Sequence, residues 1–62
     1  MTKAETIELQ SILARKGFDV GEADGRIGDR AQAAIRAYQR IIGLKADGYA
    51  NPTLLDRMRK NP

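Results

Sequence analysis

Apolar residues recur at helical spacing in three stretches of this chain, and glycine-bearing turns separate them. In the first stretch Thr6, Leu9, Ile12, Leu13 and Lys16 follow one another at three- and four-residue steps, which puts Leu9, Ile12 and Leu13 at the centre of a buried stripe. Thr2 with Glu5 three residues later reads as a capping box, so a helix is expected to begin at Lys3, and Gly17 supplies its C-terminal stop. Ile7 falls off the stripe and either widens the buried face or is left for a neighbouring domain. The second stretch, Ala31, Ala34, Ile35, Tyr38 and Ile42, with Ile41 beside them and Gly43 just beyond, predicts the central helix. In the third, Asn51 and Pro52 form an N-cap and first helical position, Leu54, Leu55 and Met58 form the apolar side, and Arg57, Arg59 and Lys60 suit the C-terminal end.

The two turns repeat one another. Ala23-Asp24-Gly25 recurs as Ala46-Asp47-Gly48, and four residues after each aspartate stands Gly28 or Asn51. By equivalence with Pro52, Asp29 takes the first helical position of the central helix and Gly28 its cap. The aspartates are expected to accept hydrogen bonds from backbone N–H groups inside the turns while glycine reverses the chain. Four glycines between Gly17 and Gly28 mark a structured loop, with Phe18, Val20 and Ile27 as hydrophobes able to pin it down. The expected fold is therefore all-α, a compact three-helix domain over 1–62 with two Asp-Gly turns, with or without a short β-bridge between Arg26-Ile27 and Tyr49-Ala50.

Composition narrows the chemistry. The 62 residues are 42% hydrophobic and 31% charged, which is enough for one modest core and unlike a disordered polyelectrolyte. Cysteine and histidine are absent, so disulfides, the usual zinc ligands and the Ser-His and Cys-His nucleophilic pairs are excluded. No cofactor or metal is expected. A net charge of +3 suits partners carrying carboxylates or phosphates, and no stretch reaches the length of a signal-peptide core or a membrane span.

Leu9-Gln10, Leu13, Gly17-Phe18, Asp24-Gly25, Gly28, Ala34-Ile35, Tyr38-Gln39, Gly43-Leu44, Asp47-Gly48 and Leu55 stand in an order and spacing that resembles the three-helix peptidoglycan-binding domain, an accessory module of cell-wall enzymes. Asp47-Gly48-Tyr49-Ala50 followed by Leu54-Leu55-Asp56-Arg57 further resembles the C-terminal module of lytic murein transglycosylases. The resemblance implies a non-catalytic module that binds peptidoglycan glycan or stem peptide. It also implies a monomeric piece excised from a longer enzyme, in the periplasm or cell envelope. Two departures stand out. The family usually carries threonine or serine seven residues after each aspartate, where this chain has Ala31 and Leu54.

Other chemistries fit less well. Asp19, Glu22, Asp24 and Asp29 crowd a glycine-rich loop, but Gly21 and Ala23 occupy the positions where a calcium loop needs oxygen ligands. The same carboxylates lack the apolar cleft that a glycosidase acid and base pair requires. Arg26, Arg30, Arg36 and Arg40 allow a DNA-binding three-helix domain as an alternative, although Ala33 and Ala37 interrupt the face that Arg36 and Arg40 share. Tyr38 lies on the buried stripe and is read as core, and Gln39 is read as bonding a neighbouring loop. A further alternative is a structural module packing on its parent enzyme. The candidate binding residues are Arg26, Arg30 and Tyr49, which suit stem-peptide carboxylates and sugar faces. Asp24, Gly25, Gly28, Asp47 and Gly48 form the turn motif.

Overall fold

The computed structural model describes residues 1–60, so residues 61 and 62 of the expected domain lie outside the described residues. Three helices form: α1 over Lys3–Arg15, α2 over Asp29–Ile41 and α3 over Pro52–Lys60. Each begins where local hydrogen bonding demands. At α1 the Glu5 N–H donates to Thr2 Oγ1 at 3.1 Å and the Thr2 N–H donates to Glu5 Oε1 at 2.9 Å, the reciprocal pair of a capping box. At α3 the Leu54 N–H donates to Asn51 Oδ1 at 2.8 Å, with Pro52 in the first helical position. Gly28 caps α2 in an extended conformation, φ −94 and ψ −169, and offers no side chain to the helix.

The ends of α1 and α2 are built alike. The Phe18 N–H donates to the Leu13 carbonyl and the Gly17 N–H to the Ala14 carbonyl, both at 3.0 Å. After α2 the Leu44 N–H reaches the Gln39 carbonyl at 2.8 Å and the Gly43 N–H the Arg40 carbonyl at 3.4 Å. Both are Schellman ends, with the hydrophobe that follows each glycine, Phe18 or Leu44, packed against the core.

The core takes Leu9, Ile12 and Leu13 from α1, Ala31, Ala34, Ile35 and Tyr38 from α2, and Leu54, Leu55 and Met58 from α3. Val20 joins it from the long loop, with Phe18 and Ile27 partly buried on either side, so three hydrophobes tether that loop. Helix α1 packs against both α2 and α3. Tyr38 is core, 4% exposed, with Phe18 edge-on at 6.2 Å between ring centroids and the Lys16 ammonium 5.6 Å from its ring. Ile7 is half-buried, while Ile41 is 72% exposed. A short bridge between Arg26-Ile27 and Tyr49-Ala50 does not form, and no strand occurs among the described residues. Side chains take over its role: backbone groups of the turns bond to glutamines and aspartates rather than to each other.

Candidate functional site

Both Asp-Gly turns are held by the same device. In the first, the Arg26 N–H donates to Asp24 Oδ1 at 2.9 Å, and in the second the Tyr49 N–H donates to Asp47 Oδ1 at 3.0 Å. Each turn is also gripped by a glutamine from the preceding helix. Gln10 accepts from the Gly25 N–H at 2.9 Å and donates to the Arg26 carbonyl at 2.6 Å. Gln39 accepts from the Gly48 N–H at 3.0 Å and donates to Asp47 Oδ1 at 2.9 Å. These glutamines are 0% and 2% exposed, and burial is tolerable because both ends of each amide are satisfied. The second aspartate therefore carries two bonds on one oxygen, and the Tyr49 N–H, then the Gln39 amide, hold its pKa below the ordinary aspartate value.

Gly25 and Gly48 both have positive φ, +88 and +75. Gly48 is also confined: a Cβ there would lie 3.1 Å from Arg36 Nε and 3.3 Å from the Gln32 carbonyl oxygen. Gln10 carries a structural part that its sequence context did not announce. The signal was present as Leu9-Gln10 beside Tyr38-Gln39, a large apolar residue followed by glutamine ahead of each Asp-Gly pair.

Against the first turn lies an open groove of about 300 Å³, lined by Val20, Glu22, Asp24, Arg26, Gly28, Asp29, Arg30 and Ala31. The volume sits at the low end of small-ligand sites. Arg26 and Arg30 thus share one concave surface. Arg30 runs beside Gly21, its Cδ and Nη1 at 3.8 and 4.0 Å from where a Cβ would stand. Tyr49 does not line the groove; it follows the second turn with its side chain in solvent, 65% exposed. Glu22, a candidate on sequence only for a calcium loop or a glycosidase acid and base pair, joins the groove wall. No group of three or more Asp, Glu, His or Cys side chains is placed to hold a metal ion among the described residues. Asp19 Oδ1 instead accepts from the Gly21 N–H at 3.1 Å within its own turn.

The arginines of α2 do not make one exposed basic face. Arg30 is turned roughly 120° around the helix from Arg36, and Arg36 is drawn against the second turn at Gly48.

Residues 2–58, nearly all of the chain, match the family described as "Putative peptidoglycan binding domain". The chain belongs to that family. The peptidoglycan-binding domain is 49% identical to part of SltB3 from Pseudomonas aeruginosa, whose structures in complex with NAG-anhNAM-pentapeptide and with NAG-NAM-pentapeptide each superpose with a TM-score of 0.89. That alignment covers 95% of this chain and 16% of SltB3. A second relative, "Putative OxPP cycle protein OpcA" of Synechocystis sp., is 40% identical over 48 residues, covering 77% of this chain and 10% of that protein. The domain therefore spans a small fraction of the proteins it resembles. Ala31 and Leu54, seven residues after the two turn aspartates, are both buried in the core of this domain.

Proposed function

We propose that this domain is a non-catalytic anchor that holds an attached cell-wall enzyme, a lytic transglycosylase or other hydrolase, on peptidoglycan in the periplasm or cell envelope. The family match over residues 2–58 carries the reading. Its small share of each relative's length supports a role as one module of a longer protein. Binding to an immobile polymer raises the effective concentration of a tethered active site at its substrate, with no part in bond cleavage. Arg26 and Arg30 in the groove are the proposed contacts for stem-peptide carboxylates, through charge-assisted hydrogen bonds. The exposed ring of Tyr49 would give apolar contact to a separate part of the polymer.

Co-sedimentation with purified sacculi tests the proposal. The wild-type chain should pellet with sacculi and release no muropeptides, and the double variant Arg26→Gln, Arg30→Gln should pellet at least tenfold less. Wild-type protein left in the supernatant would point to a module that packs on its parent enzyme, and a shift of duplex DNA would favour the nucleic-acid alternative.

A further inference from the structure

The groove beside the first turn brings charges of both signs together. Two guanidiniums, Arg26 and Arg30, and three carboxylates, Glu22, Asp24 and Asp29, line it together, yet no ion pair within 4.0 Å joins any of the five. Elsewhere on the molecule opposite charges that come close do pair, as Arg59 does with Glu8 at 2.8 Å and Lys60 with Asp56 at 3.1 Å. Asp24 has committed Oδ1 to the Arg26 N–H, and Glu22 makes no hydrogen bond among the described residues. The groove therefore presents unpaired charge of both signs around one concavity.

That arrangement discriminates among ligand chemistries. A simple anion would meet two guanidiniums but also three carboxylates that repel it. A neutral sugar could hydrogen-bond these exposed groups through its hydroxyls but would leave the charges of both signs without a counter-charge. A group carrying both signs can pair with each. We propose that the groove receives an amino-acid zwitterion, an ammonium and a carboxylate on one carbon, with Arg26 and Arg30 on the carboxylate and Glu22 and Asp24 on the ammonium. The inference rests on the peptidoglycan reading above for its source: the unlinked end of a diamino acid in a stem peptide is such a group. It assigns the groove to uncrosslinked peptide and not to glycan.

The test uses the tripeptide L-Ala-γ-D-Glu-meso-diaminopimelate and two derivatives, one acetylated on the distal amine and one amidated on the distal carboxylate. Each is titrated into the chain while backbone amide shifts are followed, and sacculus co-sedimentation is run in parallel. The free tripeptide should shift the amides of Glu22, Arg26 and Arg30, and either derivative should bind at least tenfold more weakly. Glu22→Gln should weaken the parent tripeptide severalfold without further weakening the acetylated one. Arg40→Gln, on α2 outside the groove, should change nothing. Equal affinity for all three peptides, or shifts confined to Tyr49 or Lys3, would overturn the inference. Sacculus binding with no tripeptide shift would overturn it while leaving the peptidoglycan reading intact. Tripeptide binding without sacculus binding would uphold the groove chemistry and overturn the wall anchor, and failure of both would overturn both.

Discussion

Two buried glutamines do the work that a backbone ladder does in larger domains. Gln39 supplies an acceptor for the Gly48 N–H and a donor for Asp47, so Gln39→Leu would leave a buried N–H without a partner. The expected loss is about 1–3 kcal/mol, read from urea melts, with Gln10→Leu costing a similar amount at the first turn; a loss of a few tenths in both would show that water replaces the amides. The aspartates are unequal. Asp24 and Asp47 are both exposed at the surface, so solvent can replace the bond each makes to the backbone. Asp47 alone is also the partner of a buried amide, hence Asp47→Ala should lower Tm clearly more than Asp24→Ala. Equal shifts would mean that the Gln39 donor finds another acceptor.

At the scale of the helices, α1 and α3 start with side-chain caps and α2 does not. Gly28 already has an extended φ of −94, and a Cβ placed there meets nothing within 4 Å. Gly28→Asn would add a cap like that of Asn51 and restrict the unfolded chain, stabilising by about 0.5–1 kcal/mol. A lower midpoint in thermal melts would contradict this. The opposite is expected at Gly48, where positive φ and the Gln32 carbonyl oblige any side chain to strain the turn: Gly48→Ala should cost about 1–3 kcal/mol.

At the scale of the whole molecule, the ion pair between Arg59 and Glu8 joins chain segments far apart in sequence. Arg59 of α3 holds Glu8 of α1 through two parallel hydrogen bonds, both 2.8 Å. The pair is solvent-exposed and screened by salt, so its contribution at neutral pH is small. Its pH signature is nonetheless readable. The hydrogen bond from Arg59 lowers the Glu8 pKa, the Thr2 N–H lowers that of Glu5, and the Tyr49 N–H lowers that of Asp47. A carboxylate whose folded pKa is depressed adds stability that is fully present above its unfolded value and is lost as pH falls through the folded value. Stability should therefore decline as pH drops below the ordinary values, 4.5 for Glu8 and Glu5 and 3.8 for Asp47. In Glu8→Gln the gap in Tm from wild type should narrow from pH 7 to pH 3. A constant gap would show that Glu8 stabilises by packing alone.

The helix caps and stops, encoded within a few residues, were legible in the sequence alone. The Thr2-Glu5 box, the Asn51-Pro52 start and the glycine stops at Gly17 and Gly43 act through backbone groups three to five positions away, and all stand at the expected ends. The same locality made the Asp-Gly turns visible. Tertiary structure decided what meets across the helices. Gln10 reaches a turn 15 residues on, and Arg59 reaches Glu8 across 51. Glu22 enters the groove while Tyr49 stays out, and no bridge forms between the segments around Arg26 and Tyr49. These outcomes depend on how α1, α2 and α3 pack and on two unequal loops, 13 residues between α1 and α2 and 10 between α2 and α3. Neither periodicity nor motif spacing carries the placements of Arg59, Glu22 and Tyr49, because helix stripes specify which face is buried and not which partner it meets.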